Sequence, residues 1–229
     1  MENHGLSDEE LKRVLAFEGY GNKTAPDWFL GMEEGGGSIE ELKVRAHSFG
    51  PVEDLRLAHE KLGWGDMRRH VPTWRVMSKI VMALEGTNEW QGTARAREYQ
   101  ANTLGRAGES TFLTELMPLP CPSIAAWPYP KIFPTKEDYY ADIRPNRIRW
   151  LRSEISTSQP RMVICYGKGN WPHHMEIFDN VEFRPHVDGR IRVGQYHSSK
   201  IILLPFLSYD LVPATLIEQI AHLFRHEVD

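Results

Sequence analysis

Cysteine is scarce in this chain of 229 residues, which has only Cys121 and Cys165. Two cysteines so far apart in sequence do not match a four-cysteine metal or cluster pattern, and they favour a reduced, cytoplasmic setting. No uninterrupted apolar stretch reaches about 18 residues, so we expect no membrane span. The first residues carry neither a basic flank nor an apolar run, and we therefore expect no secretory signal peptide.

An excess of positive charge is also missing. The net charge is −4 with the 10 histidines counted as neutral, which argues against a protein that binds nucleic acid through its overall charge. Arginine is nevertheless concentrated in three stretches, 94–106, 144–152 and 184–200. Such local patches can hold a phosphate backbone, although solvated helix faces explain any one of them equally well.

Three familiar enzyme motifs are absent as well: the sequence contains no GxSxG, no Walker loop and no intact GxGxxG. These absences lower the expectation of a serine hydrolase, a P-loop enzyme or a dinucleotide-binding enzyme.

The stretch from Asp27 to Ser38 is the strongest local signal. A short apolar run ends at Gly31, and Glu33 and Glu34 follow it. Three glycines then lead to Ser38, which with Glu41 has the spacing of a helix capping box. Open α/β sheets place functional groups at the carboxyl ends of strands in this way. A plain strand–loop–helix connection with two solvated glutamates is the alternative.

Four apolar segments predict strands, at 27–32, 111–117, 161–166 and 200–204, and helical patterns separate them. This order predicts an α/β fold with a central, mostly parallel four-stranded sheet covered by helices on both faces. We expect a single domain over 1–229, with 1–26 as an N-terminal helical extension. Because the carboxyl ends of parallel strands lie along one edge, we expect the segments after these strands to meet in one crevice.

A hairpin and a stiff loop complete the predicted layout. The segments 181–183 and 191–196 predict the hairpin, turned at Asp188-Gly189. The stretch 118–134 contains six prolines and several aromatic residues, and long loops of this kind are typical of functional sites or packed covers.

The order of strand-end motifs resembles that of the uracil-DNA glycosylase superfamily. There the first strand ends in patterns such as GQDPY, GINPG or GEAPG, and this chain has Gly-Met-Glu-Glu-Gly at 31–35. Where branches of the superfamily have TN before a proline-containing loop, this chain has TELMPLP at 114–120. An apolar run and glycine, VICYG, ends the third strand at 163–167, and FLSYDL at 206–211 takes the place of HPS and its DNA-wedging segment. The resemblance covers roughly residues 27–225.

The resemblance implies a fold, an activity and a set of site residues. It implies a DNA glycosylase that excises uracil or a related damaged base in base excision repair, as a monomer without metal or cofactor. The implied catalytic residues are Glu33 and Ser208. The implied base-binding residues are Gly31, Met32, Glu34, Gly35, Phe49 and Glu115. The implied DNA-binding residues are Arg147, Arg149, Lys168, Asn170, Ser208, Tyr209 and Leu211. The chain departs from the pattern in having Glu34 for a proline, Glu115 for an asparagine and Phe206 for a histidine.

The chemistry of such a reaction can be read from the residues themselves. Cleavage of an N-glycosidic bond builds positive charge on the sugar, and the Glu33 carboxylate would orient water and stabilise that charge. The backbone N–H groups of 35–37 would stabilise the departing base. Glu115 would read the base edge, with a raised pKa because carboxylates that share a crevice do not ionise independently.

A target base must also leave the helical stack, which requires an aromatic platform and a side chain that fills the gap. The platform candidates are Phe49, Trp64 and Trp74, and the gap-filling candidates are Tyr209 and Leu211. For Phe49 and Trp74, burial in the core is the more common role of an aromatic residue on an apolar helical face.

Other interpretations stay open. The chain would be a DNA-binding protein without catalysis if the altered motifs have removed the chemistry, or a hydrolase or transferase of small nucleotides that uses the same crevice. Adjacent residues on a helix point apart, so we expect His173 and His174 to lie at the surface or behind the site rather than on a metal. His197 would replace the missing histidine only if the last hairpin folds towards the crevice.

Overall fold

The four predicted strands all form in a computed structural model, which describes residues 5–123 and 125–226. Parts of three predictions lie outside the described residues: 1–4 of the N-terminal extension, 124 of the proline-rich loop and 227–229 of the domain. Within the described residues, the strands are β1 Gly19–Gly21, β2 Asp27–Gly31, β3 Val52–Glu53, β4 Thr111–Glu115, β5 Met162–Tyr166, β6 Arg184–His186, β7 Ile191–Tyr196 and β8 Ser199–Leu204.

Helices connect most of these strands, as the sequence pattern predicts. In the same described ranges they are α1 Asp8–Leu15, α2 Ile39–Ser48, α3 Leu55–Leu62, α4 Pro72–Leu84, α5 Thr93–Asn102, α6 Lys136–Ser158, α7 Trp171–Met175 and α8 Ala214–His226, with one 3₁₀ turn at Lys168–Asn170. None of the helices that the structure describes is long and apolar enough to cross a membrane.

All the described strands join one mixed sheet in the order β3-β1-β4-β2-β5-β8-β7-β6. The α/β class is confirmed, and the four predicted strands do lie side by side in parallel as β4-β2-β5-β8. The prediction of a four-stranded sheet is wrong in extent, because eight described strands pair. β1 runs antiparallel to β4 but parallel to β3, and β7 runs antiparallel to both β6 and β8. The added strands β1, β3 and β6 are only two or three residues long and lack a long apolar run.

The predicted hairpin is present with a shifted first strand. β6 begins at Arg184 rather than at 181, and β7 occupies 191–196 as predicted. The turn between them contains Asp188 and Gly189, both with positive φ angles, of 54° and 75°.

Alternate residues of each parallel strand face opposite sides of the sheet, as strand geometry requires. Phe29 and Ile164 belong to one buried cluster, which also contains Ile80 of α4. Trp28 and Val163 belong to the other cluster, with Leu151 of α6. Helices therefore cover both faces of the sheet, as the sequence predicts.

The helix after β2 is capped slightly differently from the prediction. The Ser38 side chain accepts from the Glu41 N–H at 3.1 Å, as in a capping box. The Glu41 carboxylate reaches back one residue further than expected, and accepts from the Gly37 N–H at 2.8 Å. The loop after β2 is therefore tied to the first turn of α2 from both directions.

An ion pair between a fully buried carboxylate and a partly exposed arginine joins the amino-terminal ends of β2 and β5. Asp27 is fully buried, and both of its carboxylate oxygens accept from Arg161, at 2.7 and 2.8 Å.

We expect Arg161→Ala to lower the free energy of unfolding by about 3 kcal/mol, because it leaves a buried charge without its partner. Urea denaturation measures this. Arg13→Ala, which removes an exposed pair with Glu9, is the control and should cost no more than about 0.5 kcal/mol. A loss for Arg161→Ala as small as that of the control contradicts the prediction.

Candidate active-site cleft

Two adjoining clefts open along the edge of the sheet where the parallel strands end. We call the first the tryptophan cleft; it has a volume of about 500 Å³ and is lined by Glu33, Glu34, Gly35, Gly36, Glu41, Trp64, Arg69, Val71, Thr73, Trp74, Glu115, Tyr166 and Phe206. We call the second the lysine cleft; it has a volume of about 700 Å³ and is lined by Met32, Glu33, Gly35, Cys121, Pro122, Ser123, Ala125, Lys136, Tyr140, Tyr166, Gly167, Asn170 and Phe206.

The predicted convergence of the strand ends is confirmed. Each of the four segments supplies lining residues, namely Glu33 after β2, Glu115 at the end of β4, Gly167 after β5 and Phe206 after β8. Glu33 belongs to both clefts, so its carboxylate stands where they join. Both volumes fall in the range that small-molecule sites use.

Glu33 is held by two side chains from the start of α6. The Lys136 ammonium donates to one carboxylate oxygen at 2.7 Å, and the Tyr140 hydroxyl donates to the other at 2.9 Å. Thr135 caps α6, and residues 136 and 140 are four apart, so they lie on the same helix face. The Glu33 side chain is only 9% exposed. The cation and the hydroxyl thus offset the cost of burying its charge, and they fix its orientation.

Glu34 has different partners. Its carboxylate accepts from the Tyr20 hydroxyl at 2.8 Å and from the Arg45 guanidinium at 2.9 Å. Arg45 is 4% exposed and also pairs with Glu41 at 2.8 Å. Burial raises the pKa of Tyr20, and the charge of Glu34 adds to this effect. Glu34 therefore lines the tryptophan cleft with its carboxylate already bound by the protein.

Glu115 is the neutral acid of the cleft. Its Oε1 accepts from the Tyr166 hydroxyl at 3.0 Å, whereas its buried Oε2 has no hydrogen-bond partner among the described residues. Burial raises the pKa of Glu115 to about 8, and the charges of Glu34 and Glu33 add to the shift. The predicted direction is confirmed, although burial rather than the neighbouring carboxylates is the largest cause. At neutral pH the carboxyl group keeps its proton.

Gly31 makes room for this carboxyl group. In the parallel register of β2 with β4, Gly31 lies opposite Glu115. A Cβ atom at position 31 would collide with the Glu115 carboxylate and the Tyr166 hydroxyl. Gly31 is therefore required for steric reasons, and among the described residues it lines neither cleft. Its predicted contact with a base stays a prediction.

The aromatic wall of the tryptophan cleft consists of Trp64 and Trp74. Both rings pack edge-on against the buried ring of His59, with centroids 5.0 and 4.9 Å away. Burial lowers the pKa of His59 to about 4, so the ring is neutral at pH 7. Phe49 is not part of this wall: it lies 5.3 Å from the Arg45 guanidinium and packs with Phe17.

Two buried side chains fix the loop that carries Trp64. Arg75 and Gln100 are fully buried and hydrogen-bonded to each other at 2.8 Å. The Gln100 amide donates to the Arg69 carbonyl at 3.0 Å, and Arg75 donates to the carbonyls of 68 and 69. Loop 63–71, which brings Trp64 and Arg69 to the cleft, is thus fixed through its backbone.

Arg147 corrects the prediction of a DNA contact. It is 7% exposed, and it donates to the carbonyls of Glu115 and Glu18 and to the hydroxyl of Thr114 at 3.1 to 3.3 Å. Burial lowers its pKa to about 10, which still leaves it charged at pH 7. Arg147 supports the end of β4 from inside the protein, and a surface phosphate cannot reach it. Arg149 is exposed and donates to Asn146.

Two of the glycine and serine predictions also need correction. The Gly37 N–H, proposed as a donor to the departing base, donates to Glu41 instead. Ser208, predicted to be catalytic, does not line either cleft among the described residues, and its backbone N–H and carbonyl bond to Phe206 and Val212. Phe206 occupies the position at the cleft that we expected for the β8 end.

The remaining predicted residues divide between the cleft and the surface around it. Met32, Gly35 and Asn170 line the lysine cleft. Lys168 is exposed, with its ammonium 5.7 Å from the Trp171 ring. Tyr209 and Leu211 are exposed side chains beyond Phe206, at 37% and 47%.

None of the three histidines considered lines either cleft in the described parts of the chain. His174 is fully buried and lies 3.4 Å from the Gly31 carbonyl, and burial lowers its pKa to about 4. His173 contacts Arg144, and His197 is exposed in the turn between β7 and β8. No group of histidine, cysteine and carboxylate side chains among the described residues is arranged to hold a metal ion.

Four residues of the site were missed in the sequence: Arg45, Lys136, Tyr140 and Tyr166. Tyr166 ends β5, and its place at a strand end was a usable signal. Lys136 and Tyr140 follow a capping threonine, but nothing local indicates which element their shared face contacts.

The sequence matches no protein-family model, and no curated protein matches it either.

We expect Glu115 to make stability fall with rising pH. The folded chain keeps the Glu115 proton up to about pH 8, whereas the unfolded chain releases it near the ordinary pKa of 4.5. The folded state thus holds more protons between these values, and Glu115 destabilises it by up to roughly 1.4 kcal/mol per pH unit over this range. Glu115→Gln removes this titration. Measured by urea denaturation, the free energy of unfolding of the variant relative to that of the wild type should therefore be higher at pH 8 than at pH 5. Glu137→Gln, which removes an exposed glutamate from α6, is the control. An equal difference from the wild type at both pH values contradicts the assignment.

Proposed function

We propose that this protein hydrolyses the N-glycosidic bond of a uracil or related damaged base in DNA, in base excision repair. The observation that carries the proposal is the position of Glu33. Its carboxylate lies at the end of a parallel strand, held by Lys136 and Tyr140, where an aromatic-walled cleft joins a second cleft. The resemblance of the strand-end motifs to the uracil-DNA glycosylase superfamily supports the same reaction.

The two clefts suit the two halves of the reaction. A flipped base would enter the tryptophan cleft, where Trp64 and Trp74 offer apolar surfaces. The sugar would then lie beside Glu33. The phosphates on either side of this sugar would lie along the lysine cleft, towards Asn170 and Lys168. With the sugar in this position, the Glu33 carboxylate orients water towards C1′ and stabilises the positive charge that develops there.

Charge does not exclude a nucleic-acid strand from this site. Lys136 pairs with Glu33, and Arg45 pairs with both Glu34 and Glu41. Glu115 is neutral at pH 7 because burial raises its pKa to about 8. The carboxylates of the cleft are thus largely compensated, and a polyanion meets little net repulsion there.

Glu33→Gln tests the chemistry. The amide keeps the size of the side chain but cannot carry the negative charge, so we expect base release to fall about 100-fold or more. Uracil-bearing single- and double-stranded oligonucleotides, treated with alkali and separated on a denaturing gel, measure the abasic product. Glu137→Gln is the matched control and should keep the wild-type rate.

The same assay distinguishes the other candidate functions. Salt-dependent DNA binding without product, weakened by changing Lys168 and Arg149, would favour a binding protein that lacks catalysis. Binding of free nucleotides alone would favour a small-nucleotide enzyme.

Base preference tests the role of Glu115. Its protonated carboxyl group can donate one hydrogen bond to a base edge, and a glutamine at this position offers two donors instead. We expect Glu115→Gln to change the preference among uracil and other damaged bases, measured as relative rates on matched oligonucleotides. An unchanged rate and preference would remove Glu115 from base recognition.

A further inference from the structure

The position of Lys136 suits a second role besides its ion pair with Glu33, as a nucleophile. Its ammonium lines the lysine cleft, with the side chain 15% exposed, and lies 2.7 Å from the Glu33 carboxylate and 3.6 Å from the Cys121 sulfur. A lysine amine is the side chain best suited to react with carbonyl groups, provided that a neighbouring base can take its proton. Glu33 is such a base, within direct hydrogen-bond distance.

We propose that Lys136 attacks the aldehyde of an abasic sugar and that the protein thereby cleaves DNA at abasic sites. This inference rests on the proposed function, because the abasic sugar is the product that base removal would leave beside Glu33. The ring-opened form of that sugar carries an aldehyde at C1′, which is the carbon that Glu33 faces in the proposed reaction.

The steps balance with the groups that are present. Lys136 gives a proton to Glu33, and its nitrogen forms a bond to C1′ while the carbonyl oxygen takes that proton. A second proton passes from the nitrogen through Glu33 to the new hydroxyl, which leaves as water and produces an iminium ion. Glu33 then removes a proton from C2′, the C3′–O bond breaks, and the 3′ phosphate leaves with the electron pair. Water finally hydrolyses the iminium ion to the aldehyde and restores the Lys136 ammonium, and Glu33 releases the C2′ proton to solvent.

Cys121 is the other nucleophile of the lysine cleft, and its geometry does not suit this role. Its thiol points at backbone carbonyls, with the Ala126 oxygen 2.9 Å and the Ser123 oxygen 3.3 Å from the sulfur. Burial also raises the pKa of this thiol, which reduces its thiolate form. The amine is therefore the better nucleophile of the pair.

Borohydride trapping tests the proposal. Full-length protein is mixed with an end-labelled oligonucleotide that already contains one abasic site, and sodium borohydride is added to reduce any iminium ion to a stable amine. We expect a covalent protein–DNA adduct, with peptide mass mapping placing the DNA remnant on Lys136, and a nicked strand when borohydride is omitted.

Two variants provide the comparison. Lys136→Arg keeps a cation beside Glu33 but cannot form the iminium ion, so both adduct and nick should be lost, with circular dichroism and thermal melting showing that the variant folds. Lys131→Ala removes an exposed lysine five residues away and should keep both products. An absent adduct in the wild type, or one that persists in Lys136→Arg, overturns the proposal.

The substrate separates this inference from the proposed function. Trapping uses DNA that has already lost its base, so it does not require the glycosylase step. Base release from uracil-bearing DNA without an adduct on abasic DNA would leave the proposed function standing and overturn the role of Lys136. An adduct without base release would support the role of Lys136 and count against the glycosylase reaction.

Discussion

The parallel register of β2 with β4 is the constraint on which the site depends. It sets Gly31 beside Glu115, and the absence of a side chain at 31 leaves space for the Glu115 carboxyl group and the Tyr166 hydroxyl. Because β2 ends at Gly31, Met32 and then Glu33 lie beyond the carboxyl end of the strand, at the edge of the sheet. A neutral acid at the base of the cleft and an ionised acid at its junction therefore come from two neighbouring strands.

Side chains from helices offset the cost of burying the charged carboxylates of the cleft. The start of α6 brings Lys136 and Tyr140 to Glu33. α2 brings Arg45 to Glu34, and Arg45 also pairs with Glu41 one turn earlier in the same helix. Among the described residues no cation forms an ion pair with the Glu115 carboxyl group, and burial keeps this group protonated at neutral pH. Chemically similar side chains thus acquire different roles from their neighbours, which is how one cleft can contain both a charged and a neutral carboxyl group.

Much of the fold could be predicted because long-range architecture follows from simple periodicity. The four parallel strands are continuous apolar runs, and the helices between them carry regular apolar faces. The short strands could not be found in this way, since Gly19–Gly21 and Arg184–His186 are only three residues long and show neither an apolar run nor a clear alternation. Their pairing is decided by neighbours that are distant in sequence.

The site residues that follow from the ends of strands could be predicted from the sequence. Those whose position depends on the orientation of a helix could not. Glu33 and Glu115 follow from strand ends, whereas Lys136 and Tyr140 depend on which way α6 faces. Arg147 was misassigned although a local signal existed: it lies four residues before Leu151 and eight before Ile155, on the buried stripe of α6. This spacing places Arg147 on the buried face of α6, although the segment 144–152 is rich in arginine.

The support beneath loop 63–71 has a consequence for ligand binding. Arg75 and Gln100 hold the backbone carbonyls of this loop through hydrogen bonds that lie entirely within the protein. An incoming group therefore meets an aromatic wall that is already ordered, and little conformational entropy is lost when it binds. Recognition by this wall should then depend on the shape of the ligand more than on closure of the protein around it.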